Sequence, residues 1–258
     1  MISKKIHYCW LGGGKKPKLA EKCIKSWKKY CPDYEIIEWN ESNLDISSFP
    51  LYTRQAYEKK KWGFVPDYIR LWLVYQYGGI YLDTDVELIK KPDGLLEHPA
   101  FFGFEDSGFV ALGLMFGGEA GNSLIKEMMD DYLDRSFIKE DGSLDVTPSP
   151  SINTKVFLRH GLVQNNTFQV VEDKAVVFPA DYFCPLGYYS GKTRITDNTV
   201  SIHHFMASWQ TEDERLKHKE YIKQSKKRAI RTDYQIVKDD KGIIFACLYM
   251  LKNYKKYK

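Results

Sequence analysis

A helix, a turn and a short apolar strand follow one another in residues 66–85, and this segment constrains the fold more than any other. Residues 67–77 predict a helix with near-contiguous apolar residues, in which proline at position 66 suits the first turn and two glycines at 78–79 end the helix. The strand Ile80-Tyr81-Leu82 then places two carboxylates, one residue apart, at its carboxyl end. This order is typical of an α/β sheet, whose ligands bind at the carboxyl ends of its strands.

The N-terminal residues predict a second α/β unit. Lys5 to Trp10 predicts a strand, residues 18–31 an amphipathic helix that stops at Pro32, and Tyr34 to Trp39 another strand. A strand, a helix and a strand within about forty residues indicate a parallel pair with a helical crossover. The remaining predicted elements are helices around 124–132 and 152–157, strands at 168–171, 175–178 and 199–204, and a charged helix that begins at Thr211.

Charge divides the chain into two parts. Residues 215–258 contain 14 basic and 4 acidic residues, a net charge of +10, whereas residues 1–214 have a net charge of −6. An apolar run at 242–251 lies within the basic part. We therefore predict a catalytic domain over 1–210 and a basic, partly apolar helical extension over 211–258. The extension either packs on the body as a last helix or attaches to an anionic membrane surface.

Several classes of protein are disfavoured by composition. Residues 1–7 contain no long apolar run, so no signal peptide is expected, and no stretch approaches the roughly 20 apolar residues that cross a bilayer. Five cysteines without C-x-x-C spacing favour a reducing compartment and disfavour structural zinc. Basic residues confined to the extension, without a nucleic-acid motif, disfavour nucleic acid as a partner. The expected location is cytoplasmic, at the inner face of the cell membrane.

Asp83 and Asp85 are the central chemical feature. Two aspartates at this spacing suit a hard divalent cation such as Mn²⁺ or Mg²⁺. Such an ion can bridge a diphosphate and stabilise the charge that grows on it as a glycosidic bond breaks. Asp67 and Arg70 share a face of the preceding helix, where they either form a surface ion pair or line the same site.

The segment His203-His204-Phe205-Met206-Ala207-Ser208-Trp209 brings imidazoles, a hydroxyl and an indole together near the other end of the chain. A neutral histidine beside two aspartates can complete the shell of a metal ion. Ser208 can bind phosphate, and Trp209 can donate its indole N–H to a leaving diphosphate.

These motifs together resemble glycosyltransferase family 32, the "sugar-binding region containing DXD motif" group, whose catalytic core is similar to that of the large clostridial glucosylating toxins. The resemblance rests on four motifs in order: 7–13, Asp67-x-x-Arg70, 77–85 and His204-x-x-x-Ser208-Trp209. It implies a GT-A fold with a Rossmann-like sheet, Mn²⁺ or Mg²⁺ dependence, and retention of anomeric configuration.

The resemblance also implies roles for single residues. Trp10 would stack on the nucleobase, and His204 is favoured for the metal because it begins a His-Phe-x-Ala pattern like that of related retaining transferases. The implied metal ligands are Asp83, Asp85 and His204, and the implied catalytic residues are Asp83, Asp85 and Trp209. The implied donor-binding residues are Trp10, Asp67, Arg70, Tyr81, Asp83, Ser208 and Trp209. Glu105 and Asp106 either reach the acceptor or form a solvated turn.

The expected function is transfer of a hexose from a nucleotide-diphosphate sugar, UDP-sugar first, to a saccharide acceptor. The resemblance and the basic extension favour a lipid-linked acceptor in capsule or other surface polysaccharide synthesis. The alternative is a nucleotide-sugar-binding module without turnover.

Overall fold

The computed structural model describes residues 1–188, 193–206 and 212–252. The strands are β1 (Lys5–Cys9), β2 (Glu35–Trp39), β3 (Gly79–Tyr81), β4 (Val86–Leu88), β5 (Ala100–Gly103), β6 (Phe116–Gly118), β7 (Gln169–Val171), β8 (Ala175–Phe178) and β9 (Ser201–His203). The helices are α1 (Lys18–Tyr30), α2 (Leu51–Glu58), α3 (Pro66–Tyr77), α4 (Ser123–Asp130), α5 (Ser149–Arg159), α6 (Ala180–Phe183), α7 (Glu212–Lys241) and α8 (Ile243–Lys252). Short 3₁₀ turns lie at Ile46–Ser48 and Asp93–Leu95.

The main sheet has seven strands in the order β2-β1-β3-β6-β5-β8-β7. β1 pairs in parallel with β2 and β3, and β5 pairs in parallel with β8, whereas the other neighbours are antiparallel. β4 and β9 form a separate antiparallel pair. The predicted α/β class is confirmed, and β2-β1-β3 is the Rossmann-like parallel part of the sheet.

Side chains alternate between two cores, one on each face of the main sheet. One core contains Cys9, Tyr81 and Phe102, and the other contains Ile6, Ile80 and Phe101. Residues of α2, α3, α4 and α5 cover the first face, and residues of α1 and α6 cover the second. Strands that are buried on both faces explain why 80–82 is continuously apolar.

Two glycines connect α3 to β3. Gly78 has φ 61° and donates its N–H to the Val74 carbonyl, which ends the helix. Gly79 has φ 107°, and a Cβ there would come within 2.9 Å of the Lys5 carbonyl oxygen. Only glycine therefore allows β3 to start close against β1, and this close approach aligns the ends of the two strands.

The chain divides into two compact units. The first contains Met1–Pro185 and Ile195–Trp209, and the second contains Leu186–Arg194 and Gln210–Lys258. The second unit contains α7 and α8, so the predicted extension is helical as expected. The roles assigned to residues 1–210 and 211–258 stay predictions. Among the described residues, no helix is both long and apolar enough to cross a membrane.

Trp27 attaches α1 to β4, the strand that directly follows Asp85. Its indole is fully buried, donates its N–H to the Val86 carbonyl at 2.7 Å and packs edge-on against Tyr8 at 5.3 Å. We expect Trp27→Phe to lower the free energy of unfolding by about 1–3 kcal/mol, because a buried hydrogen bond is lost. Denaturant unfolding measures this change. Trp72→Phe is the control, since the Trp72 indole N–H meets no acceptor among the described residues, and an equal loss in both variants would contradict the assigned bond.

Candidate functional site

Asp83 and Asp85 lie in the turn between β3 and β4. The Leu82 N–H donates to the His7 carbonyl at 3.1 Å, which extends the parallel β1–β3 pairing up to the turn. The Val86 N–H donates to the Asp83 carbonyl at 3.0 Å and closes the turn. The Asp83 side chain is 28% exposed and the Asp85 side chain 9%. Both carboxylates therefore lie at the carboxyl edge of the sheet, as expected from the order of elements.

His203 joins the two aspartates. One ligand atom from each of Asp83, Asp85 and His203 lies within 4.8 Å of the other two. His203 Nε2 is 3.3 Å from Asp85 Oδ1, while Asp85 Oδ2 accepts a 2.7 Å hydrogen bond from the Met206 N–H. The antiparallel pairing of Val86 with His203 brings these distant parts of the chain together.

The histidine differs from the one expected from the sequence. His204 Nε2 lies 2.8 Å from Glu87 Oε2, and Lys22 Nζ is 2.6 Å from the same oxygen. Consecutive residues of a strand point to opposite faces, and β9 directs His203 rather than His204 towards Asp85. The sequence alone does not show which of the two histidines faces Asp85, because that depends on the register between β9 and β4.

The charges of this group depend on one another. Burial raises the pKa of Asp85, but the charge and hydrogen bond of His203 outweigh it and lower the pKa to about 2. Burial lowers the pKa of His203, and Asp85 raises it above its usual value. His203 Nδ1 is buried and has no hydrogen-bond partner among the described residues. Two carboxylates and an imidazole are a donor set that suits Mn²⁺ or Mg²⁺.

Arg70 links Asp83 to Asp67. Its Nη2 lies 2.9 Å from Asp67 Oδ1 and 3.7 Å from Asp83 Oδ1, its Nε donates to the Pro66 carbonyl at 3.1 Å, and its guanidinium lies 5.4 Å from the centre of the Tyr81 ring. Asp67 and Arg70 are both buried, so they do not form a surface ion pair. Burial raises the pKa of Asp67 to about 6, although Arg70 opposes the change.

The other expected site residues occupy different surroundings. Tyr81 is 1% exposed and forms a side-chain hydrogen bond with Asp83. Burial raises the pKa of Asp83, and Arg70 and this hydrogen bond oppose the change. Trp10 is partly exposed, donates its indole N–H to the Gly14 carbonyl at 2.6 Å and lies 5.3 Å from Lys16 Nζ. Glu105 is close enough to His203 to raise the pKa of that histidine. Asp106 lies beside Glu105 in the turn after β5, and Ser208 and Trp209 lie outside the described residues.

Asn153 is a candidate that sequence reasoning missed. It is 1% exposed, and neither polar atom of its amide has a partner among the described residues. It lies one turn after Ser149, whose side chain forms a hydrogen bond with Asp67. An unpaired buried amide beside a charged site is costly unless a ligand or water pairs with it. One asparagine in an amphipathic helix carries no sequence signal for this role.

Gly113 is a second residue that the sequence did not indicate. A Cβ at this position would overlap Asp83 Oδ2 and approach Arg70 Nη1 to 3.2 Å. The segment that carries Gly113 is attached to α5, because the Val110 N–H donates to Thr154 Oγ1 at 2.9 Å. The backbone of Gly113 therefore forms one wall of the aspartate–arginine group.

Comparison with known proteins agrees with this geometry. Residues 17–102, which include β2, β3, α3 and both aspartates, match the family described as "Glycosyltransferase sugar-binding region containing DXD motif". This region of the chain is therefore similar to that glycosyltransferase family. The family number 32 stays a prediction. Together with the sheet, the match confirms the expected GT-A type α/β fold.

Two curated relatives match parts of the chain. Inositol phosphoceramide mannosyltransferase 3 of Schizosaccharomyces pombe is 32% identical over 107 residues, which cover 39% of this chain and 29% of the relative. Subversion of eukaryotic traffic protein A of Legionella pneumophila is 25% identical over 173 residues, which cover 54% of this chain and 26% of the relative. The chain thus spans less than a third of the length of either curated relative.

Two solved structures are similar at low identity. PaToxG Glycosyltransferase has 17% identity and a TM-score of 0.47, and the match covers 61% of this chain and 69% of that one. A glycosyltransferase involved in the glycosylation of the major capsid of PBCV-1 has 13% identity and a TM-score of 0.45, over 83% of this chain and 98% of that one. Both TM-scores are below 0.5, and the fold assignment rests on the sheet topology and the matched region.

We expect Gly113→Ala to lower the affinity for Mn²⁺ by about tenfold or more, because the new methyl group displaces the Asp83 carboxylate. Gly94→Ala is the matched control, since a Cβ at Gly94 meets nothing within 4 Å. Titration of Mn²⁺ followed by electron paramagnetic resonance measures the affinity, and thermal unfolding shows whether both variants fold. Equal affinity in the two variants would remove Gly113 from the site.

Proposed function

We propose that this chain is a metal-dependent glycosyltransferase that moves a hexose from a UDP-sugar to a saccharide acceptor with retention of configuration. The observation that carries the proposal is the group of Asp83, Asp85 and His203 at the carboxyl edge of the sheet, with the buried guanidinium of Arg70 beside it. Both carboxylates and the guanidinium lie within the matched glycosyltransferase region, whereas His203 lies outside it. The mannosyltransferase name of one relative supports a hexose.

The residues at the edge of the sheet can each bind a different part of a nucleotide-sugar donor. A divalent ion held by Asp83, Asp85 and His203 would supply the positive charge that stabilises a leaving diphosphate. Arg70 adds a second positive charge, and its planar donors suit phosphate or sugar oxygens. Trp10, at the carboxyl end of the neighbouring parallel strand, offers a ring on which a nucleobase can stack.

Asp67, which pairs with Arg70, and Asn153 extend the proposed donor site. Asp67 accepts hydrogen bonds when ionised, which suits a ribose or sugar hydroxyl. The unpaired amide of Asn153 provides both donors and an acceptor, and sugar hydroxyls can pair with both. We assign no residue as a general base and propose that the β-phosphate oxygen of the donor accepts the proton of the acceptor hydroxyl. Glu105 is the proposed acceptor-side residue with Asp106, since it lies near His203.

Calorimetric titration of UDP, with and without Mn²⁺, tests the donor site. We expect UDP to bind only with Mn²⁺, and a UDP-sugar then to be hydrolysed or transferred. Binding without any turnover over a broad panel of sugars and acceptors would instead support a nucleotide-sugar-binding module. Absence of binding for both UDP and GDP would overturn the proposed function.

Asp85→Asn tests the metal role directly. We expect at least a hundredfold loss of turnover, because the variant removes a charge that holds the ion which stabilises the leaving group. The fold should persist, since an asparagine oxygen can still accept from the Met206 N–H. Glu97→Gln, an exposed carboxylate outside the site, is the control. Near-normal turnover of folded Asp85→Asn would exclude the metal role.

The second proposal concerns the C-terminal unit. We infer that this unit contacts an anionic membrane, and such a contact would favour a lipid-linked acceptor at the inner face of the cell membrane. Ala246 of α8 is fully buried, whereas Ile244 and Leu251 on the opposite side are 80% and 75% exposed. Leu248 lies between them and is also exposed, so these residues form an apolar row. Lysines at 241 and 252 flank this helix, and the basic charge of 215–258 favours anionic lipids.

Sedimentation with lipid vesicles tests this contact. The triple variant Ile244→Ser, Leu248→Ser and Leu251→Ser should bind phosphatidylserine-containing vesicles about tenfold more weakly or worse, because apolar insertion is lost. The control replaces Leu133, Val146 and Val163, which are exposed in the other unit, with serine. Equal binding of the two triple variants, or no preference for phosphatidylserine over phosphatidylcholine alone, would contradict the proposed contact.

A further inference from the structure

Phe205 has a backbone conformation that is unusual for its residue type. Its φ is 50°, in the left-handed region that favours glycine, asparagine and aspartate. The other non-glycine residues with positive φ in the described part of the chain are Lys60, Asn166, Glu172 and Asp173. Phe205 is the aromatic residue in this set, and it directly follows the histidines at the end of β9. Strain of this kind persists only where the surrounding contacts compensate for it.

The left-handed residue redirects the chain towards Asp85. Before the turn, the His204 N–H donates to the Asp85 carbonyl at 3.0 Å and continues the backbone pairing of β9 with β4. After the turn, the Met206 N–H donates at 2.7 Å to Asp85 Oδ2, a side-chain atom. The turn at Phe205 thus ends the backbone pairing of β9 with β4 and directs the Met206 N–H to the Asp85 carboxylate, which this hydrogen bond orients.

The ring of Phe205 contacts the second partner. It packs edge-on against the His203 imidazole, with ring centroids 4.3 Å apart and an interplanar angle of 76°. His203 in turn faces Asp85 Oδ1 at 3.3 Å. One residue therefore acts on the carboxylate through its backbone and on the imidazole through its ring.

We propose that Phe205 is a positioning residue that holds Asp85 and His203 in the geometry of a metal-binding group. With Oδ2 occupied by the Met206 N–H, Asp85 presents Oδ1 as the ligand atom on the side of His203. The inference rests on the proposed metal site but concerns how this chain arranges it. Supporting contacts behind metal ligands commonly change the affinity for the metal by 10- to 100-fold.

Three variants of Phe205 distinguish the contribution of its left-handed backbone from that of its aromatic ring. Phe205→Tyr keeps both contributions, Phe205→Asn keeps a residue that tolerates positive φ but loses the ring, and Phe205→Val introduces a β-branched residue that disfavours positive φ. The affinity for Mn²⁺ is measured by electron paramagnetic resonance, and the Met206 amide is followed by NMR chemical shift and hydrogen exchange. Thermal unfolding verifies that each variant is folded.

We expect Phe205→Tyr to match the wild type and Phe205→Val to bind Mn²⁺ at least about tenfold more weakly with loss of amide protection at Met206. Phe205→Asn should keep the protected amide and fall between the two in affinity. Wild-type affinity and an unchanged Met206 amide in Phe205→Val would overturn the inference. If the wild type binds no Mn²⁺, the proposed function fails. Hydrogen exchange at the Met206 amide in the valine and asparagine variants then still shows whether Phe205 stabilises the turn.

Discussion

One buried guanidinium holds the candidate site together. Arg70 lies between Asp67 and Asp83, and all three side chains are wholly or largely removed from water. Without a cation, ionised carboxylates at these positions would be strongly unfavourable, because burial penalises charge and like charges repel. The attraction to both aspartates raises the pKa of Arg70 despite its burial. The helix α3 and the turn after β3 are therefore coupled through electrostatics as well as through packing.

The second constraint is the pairing of β4 with β9, which brings His203 and the Met206 N–H against Asp85. His203 and the Met206 N–H each engage one oxygen of that carboxylate, and together they keep its pKa low. Asp85 is therefore ionised at neutral pH, as the proposed metal site requires. Its protein partners also keep the carboxylate in one orientation, which favours a metal that requires regular geometry.

Much of the fold and part of the site could be predicted from local pattern. The strands and helices of the first forty residues, together with α3 and β3, follow from hydrophobic period, proline and glycine. The separate extension follows from its charge. The short strands β5 and β6 lacked a clear signal, because they are buried throughout and, unlike β3, do not directly follow a predicted helix that marks their start. Asn153 and Gly113 were missed because their importance depends only on what lies opposite them.

The sequence by itself determined the two aspartates at the end of a buried strand, the Asp67–Arg70 spacing and the basic extension, since each depends on neighbours within a few residues. Only the tertiary structure decided which histidine joins Asp85. That choice depends on the register of β9 against β4, and a shift of one residue exchanges the two faces of a strand. The left-handed turn at Phe205 was decided in the same way, because a conformation unfavourable for phenylalanine persists only when distant contacts stabilise it.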